Sequence, residues 1–374
     1  MVELKYYDLS RILSVGEGCQ YFMCFGERSN GKTYQVLLHG LKDFINSGYQ
    51  NQTAVIRRWH DDLVGKRAAT VWDNLINNEK GENTVRKITN GKYDNIIYRS
   101  GCWYLAKWDK ENEKFISYPN PLAFGFTLSD SEHDKSSSYG KVQTILFDEF
   151  MPKNNNYSDN EFISFMNVCS TIIRGRDTVK IFMCANTLSK YCLYFDEMGL
   201  TNITKMKKGD IDIYKYGESG LKVAVEYCDS PNTKKPSDVY FAFDNPALKM
   251  ITTGEWQLDI YPHLISKFDK KDVKFSYFIV FKENILQADI VIRQNEAFTF
   301  IHRKTTPLKA ENKDIIFTTE CDQRNNYFGR LTKPVTKAGK RIYFFFANNK
   351  VFYASNDIGD IMSHYLAWSN GLVK

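Results

Sequence analysis

An apolar run, Tyr21–Phe25, leads directly into Gly26, four further residues, and then Gly31, Lys32 and Thr33. After Thr33, apolar residues recur at helical spacing: Val36, Leu37, Leu41, Phe44 and Ile45, with Gly48 suited to ending the helix. No other feature narrows the fold as much. A buried strand that turns through a glycine-rich loop straight into a helix is the opening half of a βαβ unit. Glycines let the backbone curl around an anion, and amides at the helix start donate to its oxygens. Lys32 offsets the charge of β- and γ-phosphates, and Thr33 offers a hydroxyl to Mg²⁺. The candidate nucleotide-binding set is therefore Gly26, Asn30, Gly31, Lys32 and Thr33. Glu27 and Arg28 are unusual on the crest of a loop that ordinarily favours small residues. The competing reading of the loop is a chance glycine-rich turn.

The pattern continues as the loop requires. Residues 53–58 (TAVIRR), 122–128 (LAFGFTL), 142–150 (VQTILFDEF) and 179–187 (VKIFMCANT) read as strands, several of them apolar on both faces. Residues 93–108 read as a hairpin about Ser100-Gly101, and 159–176 as an amphipathic helix capped near Asp159. Alternating strands and helices predict an α/β domain with a mainly parallel sheet covered on both sides. Asp148 and Glu149 close a buried strand. There one carboxylate can hold a Mg²⁺ shell and the next can deprotonate an attacking water, unless both are simply solvated strand-end acids. Asn186 ends the following strand and is either a γ-phosphate contact or a plain strand terminus. Arg174 and Arg176 flank a glycine after the helix; one is a candidate arginine finger, the alternative being a solvated helix end.

Beyond residue 200 the texture changes. Residues 205–217 are charged, and 230–238 (SPNTKKPSD) read as a linker or exposed loop. From about 275 short strands of antiparallel type follow, then a hairpin over 341–355 about Asn348-Asn349-Lys350 and a closing helix over 357–370. The predicted division is 1–200, 201–270 and 271–374. The formal net charge of +6 is compatible with a polyanionic partner without requiring one. The cysteines, at 19, 24, 102, 169, 184, 192, 228 and 321, form no CxxC pair and no Cys/His set with zinc spacing. They are expected to be buried, reduced thiols of a cytosolic protein. The N-terminus lacks the apolar segment of a signal peptide, and no stretch approaches the ~20 apolar residues of a membrane span.

The segments FGERSNGKT, AVIRRWHDDL, KSSSYGKVQTILFDEF and IIRGRDTVKIFMCAN occur in an order and spacing that resembles the DNA-packaging ATPases of small podoviruses, the Picovirinae type. The resemblance covers roughly residues 10–190. It implies an additional-strand, catalytic-glutamate P-loop domain, then a small linker or lid, then a β-rich RNase H-like domain that has lost nuclease activity. It also implies a ring ATPase, commonly a homo-pentamer, at the portal vertex of a prohead in the host cytoplasm. Such a ring sits on prohead RNA and drives double-stranded DNA inward with ATP and Mg²⁺. By the same resemblance Lys32, Thr33 and Asp148 bind phosphate and metal, and Glu149 is the catalytic glutamate. Arg174 matches the trans-acting finger, Arg28 an arginine within the loop, and Arg57 and Arg58 a pair near the subunit interface.

In the terminal region Asp289, Glu296, Asp314 and Glu320 are scattered, whereas a two-metal nuclease needs clustered carboxylates. DNA backbone contacts call for Lys and Arg. Candidates lie in 64–70, 133–141 (around Lys135), 205–210, 302–309 and 332–341. Tyr6, Tyr7 and Gln20 remain open as neighbours of the nucleobase. A helicase-like nucleic-acid enzyme and a non-hydrolysing, nucleotide-gated scaffold are the competing functions.

Overall fold

A computed structural model describes residues 6–27, 30–78, 81–129, 138–152, 156–158, 160–186, 192–229, 261–293, 296–308 and 314–371. Ten strands make one large sheet: β1 (Tyr21–Gly26), β2 (Gln52–Arg57), β3 (Asn95–Arg99), β4 (Cys102–Asp109), β5 (Lys114–Ser117), β6 (Ala123–Thr127), β7 (Val142–Asp148), β8 (Lys180–Asn186), β9 (Ile211–Tyr216) and β10 (Leu221–Cys228). Their order is β3-β4-β6-β2-β7-β8-β1-β10-β9, with β5 on β4. The six central strands, β6 to β10, all run parallel; β4, β3 and β9 are antiparallel additions at the edges. β8 lies between β1, which carries the glycine loop, and β7, which carries the two acids.

Side chains alternate across the sheet, so each strand feeds two cores. Phe22 and Cys24 of β1 pack with Val36, Leu37, Leu41 and Phe44 of helix α1 (Lys32–Asn46). Met23 and Phe25 face the other way, toward Phe147, Phe165 and Met183 and helix α2 (Glu161–Ile173). The expected hairpin is present: Ser100 and Gly101 both take positive φ, +48° and +80°, the two-residue turn that matches strand twist. Asp159, the expected cap of α2, lies outside the described residues.

Two expectations fail. The boundary near 200 is too early: β9 and β10 follow it, and β10 pairs with β1 along its whole length. β9 is an edge strand, exposed at the alternate positions Ile213 and Lys215, and not a linker. The candidate linker 230–238 lies outside the described residues. The hairpin expected over 341–355 is also absent. Helix α3 (Lys337–Ala347) takes the place of its first arm, capped by Thr336, whose hydroxyl accepts from the Gly339 amide at 3.0 Å. Gly339, Ile342 and Phe345 are buried at three-residue spacing while Phe344 is exposed, a helical period masked by three consecutive phenylalanines.

The second sheet holds β11 (Val273–Phe281), β12 (Asn284–Arg293), β13 (Glu296–Arg303), β14 (Ile316–Thr318), β15 (Tyr327–Phe328) and β16 (Val351–Tyr353), in the order β15-β14-β11-β12-β13-β16. β11 to β13 form an antiparallel meander; β14, β15 and β16 join in parallel. α3 and helix α4 (Asn356–Asn370) cover one face through Phe345, Ile361, Met362 and Tyr365. On the other strand face Asp289 accepts from Ser276 Oγ at 2.6 Å and Gln287 Nε2 at 2.9 Å, and lies 3.1 Å from His302 Nε2. Burial pushes the Asp289 carboxyl up, but these hydrogen bonds outweigh it and hold the group below its ordinary value. The bond to Asp289 in turn raises His302.

Gly40 of α1 meets β2 closely: a Cβ there would stand 2.3 Å from Thr53 Oγ1. Gly40→Ala is expected to cost about 1–3 kcal/mol in urea denaturation, and Thr53→Ala in the same chain to recover part of the loss. The sign for His302 follows from its raised folded value. Its stabilisation is complete below the ordinary histidine value of about 6.5 and is lost as pH rises through the higher folded value. His302→Gln should remove that fall in stability, read as denaturation midpoint against pH.

Candidate nucleotide site

Both halves of the site stand at the C-terminal edge of the parallel strands, where α/β sheets bind ligands. β1 ends at Gly26, and Gly31 takes φ +92° before α1 begins. The chain can make that turn cheaply only with glycine. Lys32 is 5% exposed and folds back over the loop, its Nζ donating to Glu27 O at 2.7 Å, Asn30 Oδ1 at 3.0 Å and Gly26 O at 3.3 Å. Burial pulls its ammonium below the ordinary lysine value. Asn30 Nδ2 is buried with no hydrogen-bond partner among the described residues. Glu27 pairs with Lys208 at 2.5 Å, which ties the loop to the turn before β9. Arg28 lies outside the described residues, as does Lys135.

Two strands away, Asp148 ends β7. Thr33 Oγ1 donates to its Oδ1 at 2.8 Å, which joins the glycine loop to the acid pair. Glu149 follows with φ +63°, a left-handed conformation that a non-glycine residue adopts only when its surroundings hold it there. The hold is visible: the Glu149 amide donates to Cys184 O at 2.8 Å, and Arg58 Nη1 donates to Glu149 O at 3.0 Å. The turn aims the Glu149 side chain, 61% exposed, into the cleft.

Arg57 and Arg58 point to opposite faces of the β2 end, and both find partners within this chain. Arg57 Nη2 lies 2.9 Å from Asp148 Oδ2, and its Nη1 lies 3.4 Å from Glu149 Oε2. Arg58 is 5% exposed. Its Nε and Nη2 clasp both oxygens of Glu161 at 2.8 Å, and Nη2 also reaches Phe150 O at 3.1 Å. The guanidinium of Arg58 is therefore used up by the fold. Arg176 is likewise structural, donating to the carbonyls of Ile173, Gly140, Ile172 and Tyr139.

Arg174 caps α2 with φ +46° and is exposed. The thirteen residues of α2 carry the chain back roughly 20 Å at about 1.5 Å each, from the acid end of β7 to the start of β8. Arg174 is thus at the edge opposite its own cleft. Asn186, at the end of β8, does line the cleft.

The cleft encloses about 560 Å³. Tyr6 and Tyr34 line it near the loop, and Asn74, Asn78 and Glu82 form its far wall. Tyr6 packs on Gly31, whereas Tyr7 is buried and donates to Glu226 Oε2 at 2.7 Å. Gln20 is excluded from the cleft: it precedes β1, at the far end from the loop, where its Oε1 accepts from the Lys222 amide at 2.9 Å. Sequence reasoning missed Glu161, whose only signal was a glutamate opening a helix, and named Arg58 without its clasp on that carboxylate.

A glycine loop on one strand, paired acids on the next but one and an extra strand between them define an additional-strand P-loop protein. Residues 115–215 match the family model for the Podovirus DNA encapsidation protein (Gp16). The chain is homologous to the DNA packaging protein of Bacillus phage phi29, with 26% identity over 192 residues, 51% of this chain and 49% of that protein. The DNA packaging protein of Bacillus phage B103 is 27% identical over 177 residues, 47% and 46% of the two chains. The chain thus spans about half the length of the curated relatives it matches. A solved structure of the phi29 viral genome packaging motor assembly shares the fold at a TM-score of 0.53 and 18% identity, over 96% of this chain and 98% of that one.

Breaking the Arg58–Glu161 pair leaves one charge buried without its partner. Glu161→Ala is expected to destabilise the protein by about 3–5 kcal/mol, checked by chemical denaturation. Arg58→Lys should not restore it, because an ammonium cannot bridge both carboxylate oxygens and two carbonyls.

Proposed function

We propose that this chain is the ATP-hydrolysing subunit of a motor that translocates double-stranded viral DNA into a preformed prohead. The observation that carries the reading is the 2.8 Å contact from the Thr33 hydroxyl to Asp148, with Glu149 beside it. It puts a metal-binding hydroxyl, a strand-end acid and a general base in one cleft with the phosphate loop. Homology to phage packaging proteins supplies the substrate class.

The residues fit Mg²⁺: Thr33 Oγ1 and Asp148 Oδ1 already converge and would hold the ion. When bound, Mg²⁺ supplies charge neutralisation across the β- and γ-phosphates. Lys32 exchanges its loop carbonyls for phosphate oxygens, and the unpaired Asn30 amide gains an acceptor. Glu149 takes the proton of the attacking water. Arg57 offsets the two adjacent acids and keeps both oriented before ATP arrives. Asn186 reaches the γ-phosphate side. Arg174, at the opposite edge of its own sheet, serves as a finger for a neighbouring subunit. Arg28 senses the γ-phosphate or bridges to that neighbour.

The ring reading, a homo-pentamer on the portal with prohead RNA in the infected host's cytoplasm, rests on the resemblance and homology. The second sheet, a three-strand meander continued by parallel strands, supports an RNase H-like terminal domain. Its start is placed near 270, and the ATPase domain extends to at least 228 because β10 belongs to it.

Steady-state ATPase is expected to rise with double-stranded DNA, and Glu149→Gln to lower turnover about 100-fold or more while ATP still binds. Binding without turnover in the unaltered protein would instead support a nucleotide-gated scaffold. Arg174→Ala should be inactive alone and regain activity when mixed with Glu149→Ala, whose subunits still supply the finger. No recovery in mixed rings assigns Arg174 a role within its own subunit.

A further inference from the structure

Beneath the glycine loop, three neighbouring strands bring thiols and a carboxylate together. Cys24 of β1 stands in register with Cys184 of β8 on one side and Glu226 of β10 on the other. Cys228, two residues beyond Glu226, lies opposite Gly26, so close that a Cβ there would meet the Cys228 carbonyl at 2.8 Å. Cys24 and Cys228 are fully buried and Glu226 is 2% exposed. The two Sγ atoms and a Glu226 carboxylate oxygen all lie within 4.8 Å of one another. None of the three lines the nucleotide cleft.

We propose that Cys24, Cys228 and Glu226 form a binding site for one thiolate-preferring divalent ion of the Zn²⁺ type, separate from the nucleotide's Mg²⁺. The donor set suits Zn²⁺ and not Mg²⁺, which takes oxygen ligands. Zn–S bonds of about 2.3 Å put tetrahedral sulfurs about 3.8 Å apart, so the site closes by side-chain rotations of up to roughly 1 Å. Cys184, in register with Cys24 on the neighbouring strand, is a candidate fourth donor. Tyr7 orients the carboxylate, its hydroxyl 2.7 Å from Glu226 Oε2 and 3.2 Å from Cys24 Sγ. Such outer contacts are what hold a metal-binding carboxylate in place.

Charge also balances. Binding releases both thiol protons to solvent, leaving two thiolates and one carboxylate. A divalent ion cancels two of those three negative charges, and the third faces the buried Lys32 nearby. The ion would rivet β1 to β10 at the root of the phosphate loop. Spacing along the chain hides such a site, because its ligands come from strands about two hundred residues apart that meet only in the sheet.

The site is independent of the ATPase reading, and nucleotide binding by the chelator-treated protein tests that reading separately. For the metal, the reduced, chelator-treated full chain is titrated with Co²⁺, then with Zn²⁺. The expected result is one equivalent bound with a thiolate-to-cobalt charge-transfer band, its displacement by Zn²⁺, and a rise in melting temperature of at least ~2 °C with excess Zn²⁺. Cys24→Ser and Cys228→Ser should each weaken binding at least tenfold, whereas Cys169→Ser and Cys321→Ser leave it unchanged. The band intensity reports two thiolates in the unaltered chain, so the test stands even if a variant fails to fold; Glu226→Gln offers a milder third variant. Absence of the band in the unaltered chain overturns the proposal, as does a band that survives loss of both Cys24 and Cys228 or disappears with Cys321.

Discussion

The buried ion pair of Arg58 and Glu161 organises the cleft edge of the large sheet. Glu161 is 1% exposed and accepts from Arg58, from Tyr194 at 2.9 Å and from the Ser158 amide at 2.9 Å. So many donors are what a buried carboxylate requires. Glu161 opens the first turn of α2, where negative charge is favoured by the helix dipole. The same guanidinium binds the carbonyls of Glu149 and Phe150. One charge pair therefore starts a helix, closes the loop between β7 and α2, and holds Glu149 in a conformation it would not otherwise keep.

From that anchor the chemistry of the cleft follows in sequence. Glu149 is aimed by its backbone, Asp148 by Thr33 and Arg57, and Lys32 by the loop carbonyls it occupies. The adjacent arginines divide the labour by strand alternation. Arg57 faces the two acids of the cleft, and Arg58, on the other face, serves the core.

Much of this was legible from residue order. The glycine loop, the strand closed by Asp148 and Glu149, and the Ser100-Gly101 turn are local patterns, each set by residues within a few positions of one another. Where local pattern was ambiguous the reading failed. Tyr343–Phe346 suits a strand by composition, and only packing of Ile342 and Phe345 against the second sheet makes it a helix. β9 looked like a charged linker because an edge strand buries one side alone. Arg58 could not be told from Arg57 in sequence, since a shift of one residue exchanges solvent for core.

By itself, then, the sequence determined the phosphate loop, the acid pair and the parallel α/β class, because turn chemistry and periodicity are encoded in neighbouring residues. Tertiary structure alone decided which arginine clamps and which faces the cleft. It also decided that α2 carries Arg174 to the edge opposite its own nucleotide site, and that Cys24, Glu226 and Cys228 converge beneath Gly26. The physical reasons lie beyond any local pattern: strand alternation separates the two arginines, the length and direction of α2 carry Arg174 away, and strand order brings Cys24, Glu226 and Cys228 together from distant parts of the chain.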